Sequence, residues 1–326
     1  MNPRINLRCS LFLAASLFVS FSALAEEVYP SKPIRVLVPF PPGSSIDFAL
    51  RVISEKLQQS IGQLFVIDNR GGASGIIAAT MLLKSPPDGY TLMSATIGQM
   101  SLNPHLFKDL PYDAEKSFAP ISQLVSSQYI FVAHPSVPAA NLRQFVAWVK
   151  ANPGKVSFAS TVAGGPGHFA GIMFNQAAGI DMLHVPYKGG GPALNDLLGG
   201  QVQTFFATVG IARDHLKSGR LKILAATSER RVAALPDVPT FIEAGYPDVI
   251  AYVWTGLVAP AGTPTPIVNR ISQEMSRILA LSDVRDNLLT TDQEPVGSSP
   301  VQFSEFMKAD RQRWGVAVKA SGFKME

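Results

Sequence analysis

The sequence predicts an α/β protein built as two units with parallel-rich sheets. Three observations carry this. The chain has 326 residues, more than the ~100–200 of a single domain. Strand-like and helix-like segments alternate along most of it, which places parallel strands under crossover helices. One motif also recurs: an apolar strand, a stiff Pro/Gly/Ser loop and an amphipathic helix, at 34–57 and again at 156–178. Each copy puts a helix N-terminus at the C-terminal end of a strand, where open α/β sheets bind ligands. Hydrophobic residues make up 47% and charged residues only 16%, so material for buried cores is ample.

The chain opens with Arg4 and Arg8, an apolar run over 11–21, and Ala23-Leu24-Ala25 before Glu26-Glu27. A basic head, a short apolar stretch and an A-x-A exit predict a secretory signal peptide over 1–25, cleaved after Ala25. The run is too short for the ~20 apolar residues of a membrane span. Cys9 lies in this leader, and it is the only cysteine. The mature chain is therefore expected to lack disulfides, thiol nucleophiles and cysteine-based metal sites.

Residues 34–38 are apolar except for Arg35, as in a strand buried on both faces. The loop Pro39-Phe40-Pro41-Pro42-Gly43-Ser44-Ser45 cannot be helical. Ile46, Ala49, Leu50, Ile53 and Leu57 then recur at helical spacing, with Ser44 or Ser45 as the expected N-cap. Strands are expected at 65–67 and 90–95, a helix at 75–83, and turns at 69–72 and 86–89. A second unit starts near Gln123. It has strands at 129–133, 156–160, 183–185, 202–207 and 221–226, and helices from Asn141, over 168–178 and over 192–198. The last part reads as helical. Val268, Ile271, Met275, Ile278 and Leu279 form one stripe. Ser299, Pro300 and Gln302 give an N-cap, an N1 proline and a capping-box glutamine ahead of Phe303, Phe306, Trp314 and Val318.

The usual chemical signatures are missing. The net charge is +4 with no run of Lys or Arg, so nucleic acid is not an expected partner. The five histidines (His105, His134, His168, His184, His215) show no H-E-x-x-H spacing, and no metal or cofactor is expected. There is no G-x-S-x-G elbow and no P-loop. Gly165, Gly167 and Ala170 match G-x-G-x-x-A, but the next strand ends His184-Val185-Pro186-Tyr187 without the acid that a ribose needs. What remains is anion binding by backbone N–H groups and a positive helix end.

The 43–47 loop supports the same reading. Gly43 lets backbone approach a ligand, and the Ser44 and Ser45 hydroxyls donate or accept. Asp47 sits in the first helical turn, where a carboxylate suits the dipole. His168 follows the second Gly-rich loop and is read either as a donor to a ligand carboxylate or as a cap. Phe40, Phe169, Phe205 and Phe206 are candidates for an aromatic wall. Arg70 and Lys188 are loop cations with solvated or ion-paired roles as the simpler alternative.

Several stretches, in order, resemble the Bug-type solute-binding proteins of the tripartite tricarboxylate transporter family. They are YPSKPIRVLVPFPPG with Asp47, IGQLFVIDNRGGASG, PPDGYTL, HVPYKGGGPALNDLLGGQV, LAATSERR with LPDVPTFIEAGYP, and VAPAGTPTPIV. The resemblance implies a two-lobed periplasmic binding protein of the Venus-flytrap, type II kind, with a parallel-rich sheet in each lobe and a ligand cleft between them. It implies a monomer in the periplasm that captures a small organic carboxylate and delivers it to integral-membrane transporter subunits. Lobe I is expected at 26–125 plus 249–326 and lobe II at 126–248, with hinge crossings near Val125 and Val249.

The expected ligand contacts are Phe40, Ser44, Ser45 and Asp47 on one side, and Thr161, Gly164, Gly165, His168 and Thr208 on the other. No catalytic role is assigned to them. The chain departs from the family's common G-G-x-x-D loop in reading Gly43-Ser44-Ser45-Ile46-Asp47, and from its usual acids at Gln203 and Thr208. Extra hydroxyls, fewer acids and added phenylalanines favour an aromatic dicarboxylate such as terephthalate. The alternative is a periplasmic hydrolase or isomerase acting through Asp47 and His168.

Overall fold

A computed structural model describes residues 29–325. The expected signal peptide, with Cys9, lies outside the described residues. The first unit runs β1 (Ile34–Val38), α1 (Ser45–Ile61), β2 (Phe65–Asn69), α2 (Ile76–Leu83) and β3 (Thr91–Thr96). β1 lies between β2 and β3, parallel to both. The α1 stripe expected from sequence is the buried one: Ala49, Leu50, Ile53 and Leu57 pack against this sheet. Ser44 caps α1 by accepting the Asp47 N–H at 3.3 Å. A π-helical turn (Gly98–Leu102) and α3 (Asn103–Leu106) follow β3.

The next strand departs from expectation. β4 covers Phe118–Ala133, sixteen residues rather than the five expected. Pro120, Ser122, Gln123 and the Ser126-Ser127-Gln128 run break its apolar pattern, and its ladder shifts register at Pro120/Ser122 and Gln123/Val125. Then come α4 (Leu142–Ala151), β5 (Ser157–Ser160), α5 (Pro166–Ala178), β6 (Leu183–Pro186), α6 (Gly190–Leu198), β7 (Thr204–Thr208), α7 (Val209–Lys217) and β8 (Lys222–Ala226). The chain ends with β9 (Tyr252–Pro260), α8 (Thr265–Leu279), α9 (Ser282–Leu289), the short β10 (Glu294–Pro295) and α10 (Pro300–Ser321). The Ser299 capping box forms as expected at the start of α10, with Ser299 N donating to Gln302 Oε1 at 2.9 Å. Among the described residues no helix is long and apolar enough to cross a membrane.

The strands follow the order β2-β1-β3-β9-β4-β7-β5-β6, with β10 and β8 also on β4. This is a mixed sheet: β9 is antiparallel to β3 and β4, and β4 is antiparallel to β7 and β8. Two lobes result because β4 serves both. Its Phe118–Gln128 part pairs with β9, and its last five residues, from Tyr129 to Ala133, pair with β7 and β8. The chain returns between β8 and β9. Thr227 ties the two crossings together, donating its N–H to Tyr129 O at 3.0 Å and accepting the Ala251 N–H at 3.1 Å.

The lobe of β5 and β7 has an aromatic core in which Phe131 stacks on Phe206 at 4.5 Å and meets Phe145 and Phe174 edge-on. Phe205 and Phe206 are both fully buried on opposite faces of β7, and Phe169 is fully buried too. β7 is an inner strand covered on both faces, so Phe205 and Phe206 are core rather than a ligand wall, and Phe169 on α5 packs into the same core as Phe206.

Candidate functional site

A cavity of about 420 Å³ lies between the lobes, within the ordinary range for small-molecule sites. Both recurrent loops reach it. The first contributes Pro39, Phe40, Ser44 and Ser45 at the N-terminus of α1; the second contributes the 161–166 segment at the N-terminus of α5. The first loop is held from several sides. Gly43, at φ +80°, donates its N–H to Asp47 Oδ2 at 3.1 Å. Asn69 Nδ2 donates to Phe40 O at 3.0 Å and to Asp47 Oδ1 at 3.1 Å. Gln293 Nε2 donates to Ser45 O at 2.8 Å. Such a loop presents its hydroxyls without having to order first, and preorganised donors bind at lower entropic cost.

Asp47 is a brace for this loop. Its carboxylate is buried, paired with Arg51 at 2.9 Å, and absent from the cavity lining. The Arg51 guanidinium, helped by the Gly43 N–H and Asn69, holds it below the usual carboxylate range. His168 is also a brace. Gly164 donates its N–H to His168 Nδ1 at 3.1 Å, so that nitrogen carries no proton. The ring stacks on His184 at 3.7 Å, and His184 Nε2 meets Ser160 Oγ at 2.7 Å. Helix α5 starts at Pro166 rather than at His168, which turns the imidazole under the loop instead of into the cleft. Thr208 likewise stays off the lining; it sits at the end of β7 opposite Tyr129 and precedes α7. Of the nine residues expected to touch ligand, Phe40, Ser44, Ser45, Thr161, Gly164 and Gly165 line the cavity, and Asp47, His168 and Thr208 do not.

The cavity has a third polar wall that sequence reasoning missed. Gly72, Ala73, Ser74 and Gly75 all have positive φ, from +45° to +112°. Left-handed backbone at Ala73 and Ser74 costs energy and persists only where neighbours hold it. Here Gln99 Nε2 and Asn103 Nδ2 both donate to Ser74 O, at 3.1 and 3.0 Å. Gln99 Oε1 accepts from Thr96 N at 3.1 Å, and Tyr112 Oη donates to Gln99 O at 2.9 Å. A Cβ on Gly75 would lie 1.9 Å from Gln99 Nε2. A signal for this wall was in the sequence: the GGASG loop follows β2, which lies beside β1 and ends on the same side of the sheet. Ser126 and Ser127 of β4 add hydroxyls, and Trp254, Val253, Leu102 and Leu106 add apolar surface.

Among the described residues, none that lines this cavity is Asp, Glu, Lys, Arg or His. The ionisable group among those lining residues is Tyr129, whose phenol burial pushes up to about 12. The site therefore offers helix N-termini, backbone amides, hydroxyls and amides to an anion, and no proton donor or acceptor that titrates near neutrality. The titratable pair that a hydrolase or isomerase would use, Asp47 and His168, does not face it.

A pH dependence follows. Burial pulls both His168 and His184 down from 6.5 to about 4. Between those values the unfolded chain binds more protons than the native state, so stability rises with pH. The stabilisation is fully present above pH 6.5 and is lost as pH falls through this window. Thermal melts should show a lower Tm at pH 5 than at pH 7.5, and His184→Gln should flatten that slope. Affinity for a fully ionised dicarboxylate, measured by calorimetry, should stay level from pH 6 to 8.5; a rise toward pH 6 would mean that an imidazolium holds the ligand.

The model of the tripartite tricarboxylate transporter family receptor matches residues 49–323. The chain belongs to this receptor family. Protein BugT of Bordetella pertussis is 33% identical over 321 residues, covering 97% of this chain and 98% of that protein. Two solved structures are similar across the whole fold. Rpa4515 of R. palustris with adipate is 30% identical with a TM-score of 0.79, covering 91% of this chain and 99% of that one. MatC of Rhodopseudomonas palustris with bound malate is 32% identical with a TM-score of 0.74, covering 89% of this chain and 100% of that one. The receptor thus shares its fold with proteins solved with adipate and malate.

Proposed function

We propose that this receptor captures a dicarboxylate without an amino group, in the periplasm and as a monomer, and hands it to the membrane subunits of a tripartite tricarboxylate-type transporter. One observation carries the reading: an interlobe cavity built on two helix N-termini, with no charged side chain in its lining among the described residues. The adipate and malate complexes of similar receptors support it. One carboxylate lies at Ser44 and Ser45, the other at Thr161, Gly164 and Gly165. Hydrogen bonds with one ionised partner contribute roughly 1.5–3 kcal/mol each, enough for binding without a cation. Asp47 and His168 position these loops from behind. Phe40, Trp254 and Leu102 cover an apolar middle, which suits terephthalate as well as adipate.

Binding without chemistry is favoured over hydrolysis or isomerisation because the cavity lacks a titrating group near neutrality. Lobe I, 26–125 with 249–326, and lobe II, 126–248, would close about the paired crossings at β4 and Thr227–Ala251. An anion gripped by one loop from each lobe favours the closed form by differential affinity. Small-angle scattering should therefore show a smaller radius of gyration with saturating terephthalate or adipate. An unchanged radius for every acid that binds would count against capture by closure.

A further inference from the structure

We propose that Met325, backed by Phe323, forms the end wall of the cavity beside the 161–166 loop and sets the longest ligand chain that the receptor accepts. The inference rests on the dicarboxylate reading above and adds a specificity residue to it. Helix α10 stops at Gly322, in left-handed conformation at φ +67°, and the chain then runs between the lobes. Its position is fixed from both. Met325 N donates to Leu106 O of α3 at 3.3 Å. Phe323 meets the His168 ring edge-on at 5.1 Å and Phe169 at 6.1 Å, both on α5. Gln176 Nε2 of α5 donates to Ala320 O at 3.1 Å, tying the same helix to the end of α10.

These side chains converge on Gly164. A Cβ there would lie 2.9 Å from Phe323 Cε1, 3.5 Å from Met325 Sδ and 3.6 Å from Leu106 Cδ1. Only a residue without a side chain lets the segment come this close, and φ +73° at Gly164 also favours glycine. Met325 itself lines the cavity. A ligand carboxylate held at the 161–166 loop beside Gly164 would therefore end against the Met325 thioether. That group is apolar, unbranched and at most a weak acceptor, so it limits length without adding a strong polar contact. A longer chain has to displace it from between α3 and the loop.

The test is calorimetric titration of succinate, adipate and suberate against wild type, Met325→Ala, Met325→Phe and Lys324→Ala. Removing three heavy atoms makes room for about two methylene groups. Met325→Ala should raise the suberate-to-adipate affinity ratio at least about tenfold, Met325→Phe should shift preference toward succinate, and Lys324→Ala, at an exposed neighbour, should leave the ratios unchanged. A merely structural role would weaken all three acids alike. Ratios unchanged in both Met325 variants, with wild type binding normally, overturn the end wall alone. Terephthalate serves as a control: failure of wild type to bind it or any of the three acids overturns the dicarboxylate reading and the end wall with it, whereas binding of terephthalate alone overturns only the end wall.

Discussion

Ser44→Asp is expected to abolish dicarboxylate binding while leaving the fold intact. Aspartate is as good an N-cap as serine, so the bond to Asp47 N that starts α1 is retained. The effect on ligand is opposite. The substitution removes a hydroxyl donor and puts a fixed negative charge where an incoming carboxylate must sit. Two like charges ~4 Å apart repel by roughly 4 kcal/mol at an effective dielectric of about 20. Among the described residues no cation lines the cavity to offset this. Affinity should fall at least about a hundredfold, or ~2.8 kcal/mol. Calorimetry reads the affinity, and a melting curve on the same sample checks the cap. Wild-type affinity in a well-folded Ser44→Asp protein would move the anion away from α1.

Asp310→Ala should be the most destabilising single substitution on α10. The Asp310 side chain is fully buried. Its Oδ2 accepts from Trp254 Nε1 at 2.9 Å, and its Oδ1 accepts from Trp314 Nε1 at 3.1 Å and from Arg313 Nη2 at 2.5 Å. Both indoles are about 1% exposed. Truncation leaves two buried N–H groups and a guanidinium without their common acceptor. Each buried donor left unsatisfied costs about 1–3 kcal/mol, so the two indoles alone put the loss at about 2–6 kcal/mol. The loss reaches the site as well, because Trp254 on β9 lines the cavity and Asp310 fixes its ring. Urea denaturation should show the midpoint falling with little change in slope. Asp310→Asn keeps an acceptor oxygen and should lose less. A shift below about 1 kcal/mol for Asp310→Ala would mean that the indoles find other partners.

Both recurrent loops at the cavity were legible in the sequence because their signals are local. Proline stiffens the 39–45 loop, glycine takes the left-handed positions, serine caps α1, and the apolar stripe of α1 begins at once. The family resemblance agreed with that reading and extended it to the whole chain. Side-chain direction was not legible. His168 stands beside a ligand loop in sequence, yet its ring turns under the loop because α5 begins two residues earlier. Asp47 lies within the first turn of α1 but is held by Arg51 and Asn69 away from the cavity. β4 was read too short because its middle carries serines and glutamines; two of those, Ser126 and Ser127, are polar because they face the cavity. Long-range convergence was invisible in the same way. Ser74 is fixed by Gln99 and Asn103, Ser45 by Gln293, and Gly164 is approached by Met325, pairs joined by tertiary packing alone.

A cavity with no charged side chain among its described lining residues should select carboxylates and reject amines. Glutarate and L-glutamate test it most directly, since they differ only by the α-ammonium group. An ammonium taken from water into a cavity without an acid is left unpaired, at a cost of several kcal/mol. Calorimetric titration of the wild-type receptor should give glutarate an affinity at least about a hundredfold above that of glutamate. Glutamate binding as tightly as glutarate, or more tightly, would mean that the cavity holds a partner for the ammonium and does not select against amines.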